Sequence, residues 1–206
     1  AGAGSSSGTL ETVDSAPAKI CVLPAPELEG FLERYRHDAS VPDVMEAASF
    51  IHEVLQRANG FVPSQAGSVL LDNPYELGDD PTSVPLYFIA TFGPSAESLL
   101  GASIPATQGV VGYVYRSGQS HLVTDSRSDA HFCADFDEAH AFRTASLLAV
   151  PIRIEGRVCG VLEMVNRLDS RPFDERDRAL LEIFAAYTSV SLQNLLDARR
   201  AGVAAR

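Results

Sequence analysis

The chain has 206 residues, 46% of them hydrophobic and 21% charged, with a net charge of −11. That is apolar material enough for one packed core, and the natural division is one domain with extensions. The acid excess repels phosphate backbones and anionic lipid, which argues against nucleic-acid or membrane-surface partners, and no apolar run reaches the length of a membrane span.

Residues 1–24 are rich in Gly, Ser, Ala and Pro and are expected to be disordered or a linker, with neither the basic start nor the apolar stretch of a signal peptide. Helices are expected over residues 25–60. The first, in "PELEGFLERYRH", is interrupted by Gly30. The second has Val44, Ala47, Ala48, Ile51, Val54, Leu55 and Ala58 at helical spacing, Pro42 in its first turn and a stop at Asn59-Gly60. "GSVLLD" and "VPLYFIATF" read as strands, separated by the turn formers of "DNPYELGDDPTS". A loop then leads into a short helix from about Gly109 to Arg116, a brief strand in "SHLVTD", and a polar segment, Ser126 to Arg143, holding another short helix. "SLLAVPIRI" and "RVCGVLEMVNR", joined at Glu155-Gly156, read as a hairpin near the sheet centre. A closing helix of about 24 residues carries Asp174, Glu175 and Asp177 at its start, Arg199 and Arg200 at its end, and a stripe of Leu180, Leu181, Phe184, Tyr187, Leu192 and Leu195. This order gives an α+β domain with an antiparallel sheet and helices packed on it.

Glu163 is the odd residue in the hairpin. A charge in an apolar strand costs several kcal/mol unless it is paired or neutralised. Alternation puts it on one face with Cys159, Val161 and Val165. It then either pairs with a lid arginine such as Arg143 or faces water, or it accepts N–H donors of a ligand. Likewise, the Thr107-Gln108-Gly109 entry to the short helix is either a plain cap or an anion site.

The segment 126–144 holds Asp129, His131, Cys133, Asp135, Asp137, Glu138 and His140, whose spacing matches no closed zinc site or EF-hand and reads as a solvated acidic loop. The three cysteines, Cys21, Cys133 and Cys159, form neither a disulfide framework nor a zinc pair and point to a reducing, cytoplasmic setting. No nucleophile elbow or phosphate-binding loop is present, so a non-enzymatic module is expected.

Five segments in register, "IPATQGVVGYVYRSGQSHLVTD", "DAHF", "AFRTASLLAVPI", "GRVCGVLEMVNR" and "PFDERD", resemble GAF domains, the small-molecule sensor modules of signalling proteins. The nearest likeness is to the cyclic-nucleotide-binding GAF domains of phosphodiesterases and adenylyl cyclases. The resemblance implies a central antiparallel sheet with the N- and C-terminal helices on one face and a lid of loops and short helices on the other. It implies a sensor domain over residues 61–197, with 198–206 a tail or the start of a connection to an output domain, and a parallel homodimer through the terminal helices.

The resemblance also implies a ligand site, with cyclic GMP or cyclic AMP as the ligand. Glu163 and Thr144 would meet the base, with Asp137 beside them, and the backbone of Gly109, Val110 and Val111 the phosphate. Phe92, Phe132, Cys133 and His140 complete the set. Departures from the family pattern fall at Phe92-Gly93, where the family has Phe-Asp, at Cys133 for a tyrosine and at His140 for a threonine. Asn166, Arg167, Phe173 and Asp177 match a structural motif in which lysine has become Arg167 and a glutamate Arg178. An Arg167–Asp177 pair would tie strand to helix. A haem relative would use His131 or His140 as axial ligand, and a bilin relative needs a different cysteine context from "HFCAD". Two other readings remain: a ligand-free dimerisation module, with the pocket filled and Glu163 paired internally, and a thiol-based sensor or methionine sulfoxide reductase using Cys133.

Overall fold

The computed structural model describes residues 18–32, 44–73 and 84–204. The expectations for residues 1–17, for Pro42 and for most of the turn-rich segment before residue 84 lie outside the described residues.

Seven strands form one antiparallel sheet in the order β1-β3-β2-β7-β6-β5, with β4 also on β3. They are β1 (Ile20–Val22), β2 (Ser64–Asp72), β3 (Pro85–Phe92), β4 (Ser103–Pro105), β5 (His121–Val123), β6 (Leu147–Ile154) and β7 (Arg157–Arg167). The β6–β7 hairpin turns at Glu155 (φ 53°) and Gly156 (φ 77°), the left-handed pair that a two-residue hairpin needs. β7 lies between β2 and β6, covered on both faces, which is why its sequence is an almost continuous apolar run.

Helices α1 (Ala25–Leu32), α2 (Val44–Phe61) and α6 (Glu175–Ala204) cover one face. On α2, Ala47, Ile51, Val54, Leu55 and Ala58 are buried at the expected spacing. On α6, Leu181, Ala185, Thr188 and Leu192 face inward. Of the expected stripe, Tyr187 lies outside, 54% exposed, and the side chain of Leu195 is outside the described residues. α3 (Ala96–Leu99), α4 (Gly109–Ser117) and α5 (Asp135–His140) lie with the lid on the opposite face, over a second core of Phe88, Val111, Val114 and Val161.

Several expectations are corrected. Ile20–Val22, placed in a disordered or linker segment, is an edge strand on β3, and Leu23 after it is buried; an "ICVL" run inside Gly- and Ser-rich chain is averaged away by composition. Gly30 sits within α1 rather than breaking it, and α2 continues to Phe61 past Asn59-Gly60. Cys159 does not share a face with Glu163. Arg153 pairs with Val158 and Ile152 with Gly160, so Cys159 is the extra residue of a β-bulge and turns into the helix-side core.

Candidate functional site

A cavity of about 120 Å³ lies between the centre of the sheet and the lid. Its wall includes five phenylalanines: Phe88 and Phe92 from β3, Phe132, Phe136 and Phe142 from the lid. Phe136 of α5 stacks on Phe88 at 5.7 Å between centroids, closing the lid onto the sheet. Of the ligand residues expected from the sequence, Phe92, Gly109, Val110, Val111, Phe132, Cys133, Asp137, Thr144 and Glu163 line this cavity. His140 ends α5 and is not in the lining; its side chain lies outside the described residues.

The floor is Glu163, only 8% exposed. Directly across the ladder, Ser68 donates its hydroxyl to Glu163 Oε1 at 2.5 Å. No cation pairs with the carboxylate among the described residues. Arg143, the cation of the alternative ion-pair reading, is exposed, and its backbone carbonyl accepts from Asn166 Nδ2 at 2.8 Å. Burial pushes the Glu163 carboxyl up to about 7, against an opposing pull from the Ser68 hydrogen bond.

One wall is the start of α4. Gln108 is its extended N-cap residue, with no side-chain cap, and its carbonyl accepts from the Gly112 N–H at 3.1 Å. The N–H groups of Gly109, Val110 and Val111 therefore have no partner within the helix, and these three residues line the cavity. Gly109 takes φ 65°, which opens the helix in a left-handed conformation. Gly112 holds the helix in place: a Cβ there would meet the Ala106 carbonyl oxygen at 2.5 Å. Gln108 Nε2 reaches Cys133 Sγ at 3.5 Å, linking α4 to the lid.

Asp137 and Thr144, expected at the ligand's base, hold each other. The Thr144 N–H and hydroxyl each donate to one Asp137 carboxylate oxygen at 2.7 Å. Residues 143–146 are fixed from below by Asn166, in a left-handed conformation (φ 52°), whose Oδ1 accepts from the N–H groups of Ala145 (2.7 Å) and Ser146 (3.2 Å). Arg167 donates to Asp177 and to Asp169, and Asp177 returns a carboxylate oxygen to the Asp174 N–H at 3.0 Å while Asp174 caps the Asp177 N–H at 3.0 Å. This reciprocal cap starts α6 and ties it to the end of β7; Phe173 beside it is 1% exposed.

Beyond the cavity, Nε2 of His121 on β5 lies 2.8 Å from Asp129 of the lid, and His131 of the lid stacks on Tyr113 of α4 at 3.9 Å. Burial tends to raise the Asp129 carboxyl, but hydrogen bonds from His121 and the His131 backbone N–H hold it below the usual value. Among the described residues there is no group of three His, Cys, Asp or Glu able to hold a metal ion, and no helix long and apolar enough to cross a membrane. Cys133 and Cys159 lie on opposite faces of the sheet, and all three cysteines are free thiols. Ser68, Phe88, Phe136 and Phe142 were not singled out from the sequence. A strand serine or a lid phenylalanine carries no signal of its own until the partner strand and the lid are placed.

The family model described as "GAF domain" matches residues 46–192. The chain belongs to the GAF family. It is 35% identical over 88 residues to a probable 3',5'-cyclic phosphodiesterase of Caenorhabditis elegans, covering 43% of this chain and 12% of that protein. It is 28% identical over 93 residues to a dual 3',5'-cyclic-AMP and -GMP phosphodiesterase of Takifugu rubripes, covering 44% of this chain and 10% of that one. The chain thus spans only a small part of these relatives. The GAF-B domain of DevS from Mycobacterium smegmatis superposes with a TM-score of 0.57 at 19% identity, covering 75% of this chain and 98% of that one. A free methionine-R-sulfoxide reductase from Thermoplasma acidophilum superposes with a TM-score of 0.55 at 17% identity, covering 75% and 95%. These structural likenesses establish the fold alone. The matched region is a GAF domain, the regulatory sensor type of signalling proteins, with phosphodiesterases among the chain's curated relatives.

Proposed function

We propose that this GAF domain binds a purine cyclic nucleotide in the cavity over Glu163 and passes occupancy through α2 and α6 to an output domain of a longer, cytoplasmic signalling protein. The observation that carries this reading is one cavity holding both a buried carboxylate that no cation among the described residues pairs with and the open N-terminus of α4. The first accepts N–H donors of a base; the second suits a singly charged phosphodiester. The phenylalanine walls suit a planar ring between them. Relatives named as cyclic-nucleotide phosphodiesterases support the ligand class. Asp137 and Thr144 satisfy each other, so contact between either and the ligand requires that pair to reorient.

Signal output requires the ligand to prefer one arrangement of the terminal helices. Ile183, Tyr187 and Val190 form an exposed apolar stripe on α6, with Phe61 exposed at the end of α2, and this face suits a parallel homodimer. A ligand-free dimerisation module would fill the cavity and pair Glu163 with a cation; the open cavity and a Glu163 whose one partner among the described residues is Ser68 favour the ligand.

Thermal unfolding with saturating cyclic GMP or cyclic AMP tests the reading. A ligand at about 100 times its Kd adds about 2.7 kcal/mol, which for a domain of this size raises Tm by about 5–10 °C. No rise with either nucleotide overturns it.

A further inference from the structure

We propose that protonation of Glu163 selects the purine edge that the cavity accepts. The ionised carboxylate takes an edge with two adjacent N–H donors, as in guanine, and the protonated one takes an edge with a donor beside a bare ring nitrogen, as in adenine. This rests on the cyclic-nucleotide reading above and extends it to base selection.

The geometry begins with Ser68. Its hydroxyl donates to Oε1, which makes that oxygen an acceptor for as long as this hydrogen bond is kept. A proton arriving on the carboxyl therefore goes to Oε2, which has no hydrogen-bond partner among the described residues. With Oε2 bare, Glu163 presents two acceptors, the complement of the guanine N1–H and N2–H groups. With Oε2 protonated, it presents a donor beside an acceptor, the complement of adenine N1 and N6–H.

Little else in the cavity can compensate. Among the described residues, the other titratable groups in the lining are Asp137 and Cys133 on the lid. Both Asp137 oxygens are taken by Thr144, and Cys133 Sγ is contacted by Gln108. The flanking strands put Ser68 and Ala149 opposite Glu163, β3 adds Phe88 and Phe92, and α4 adds backbone; none of these titrates in the neutral range. Among the described residues no cation lies in the lining to lock the carboxylate in its charged form. Burial pushes the carboxyl up to about 7, which populates both forms near neutrality.

Equilibrium binding of cyclic GMP and of cyclic AMP to the whole chain, from about pH 5.5 to about pH 8.5, tests the selection. The ratio of the cyclic GMP to the cyclic AMP association constant is expected to climb with pH, by up to about tenfold per unit. In Glu163→Gln, whose amide presents donor and acceptor permanently, cyclic AMP affinity is expected to lose its pH dependence and cyclic GMP affinity to fall at least about tenfold. A wild-type ratio that stays flat while both nucleotides bind overturns the selection and leaves the nucleotide reading standing. Absence of binding by both across the range overturns the two together. The wild-type ratio decides the matter even if the variant fails to fold.

Discussion

Glu163 gives the domain a pH dependence of stability with a definite sign. Its folded pKa is raised from the ordinary 4.5 to about 7, so the native state holds a proton that the unfolded state releases. Stability from this group is highest below about 4.5, falls as pH rises through that window, and is fully lost above about 7. The loss is on the order of 3 kcal/mol. Glu163→Gln keeps the Ser68 hydrogen bond and removes the titration. Urea unfolding is expected to find the variant gaining on wild type by up to that amount between about pH 4.5 and about pH 8; an equal difference at both ends would refute the assignment. Cys133→Ser is expected to leave nucleotide affinity within about threefold, because a hydroxyl can keep the hydrogen bond that the thiol accepts from Gln108; titration calorimetry checks this. The acid in the apolar run was legible in the sequence. Its partner was not, because pairing Ser68 with Glu163 depends on a register no local pattern carries. Cys159 was assigned to the wrong face because strict alternation does not survive the bulge.

The joint between β7 and α6 is the most exacting contact between elements. Asp177 pairs with Arg167 and also caps the Asp174 N–H. Asp177→Ala removes both and leaves Arg167 with only Asp169, at an expected cost of about 2–4 kcal/mol in denaturant unfolding; a cost below about 0.5 kcal/mol would mean that the joint is ornamental. At the α4 wall, Gly112→Ala drives a Cβ against the Ala106 backbone, with an expected loss of about 1–3 kcal/mol and weaker nucleotide binding, since the helix N-terminus must shift. Long elements were readable because they repeat: α2 by its helical period, the β6–β7 hairpin by its turn. β1, α3 and β4, each of three or four residues, are too short to show a period. They exist because β3 offers an unpaired edge and a loop end to pack against. The Arg167–Asp177 pair was expected from family likeness rather than from spacing.

At the scale of the molecule, a doubly covered sheet separates the cavity face from the face that the terminal helices cover, and the sheet itself is the link between them. β7 carries Glu163 toward the cavity and Leu162 and Met164 toward the terminal helices. α6 runs 30 residues, about 45 Å, with its outer apolar stripe left open. Replacing Ile183 and Val190 together by Glu is expected to turn a dimer into a folded monomer in light scattering, with the circular dichroism unchanged; a dimer that persists would move the interface elsewhere. The central claim, that a small ligand enters over Glu163, is tested most directly by amide NMR spectra recorded with and without saturating cyclic GMP. The largest shifts are expected at Ser68, Glu163 and the α4 entry, Gly109 to Val111. A spectrum unchanged at those residues, or one altered only along the outer faces of α2 and α6, would contradict it.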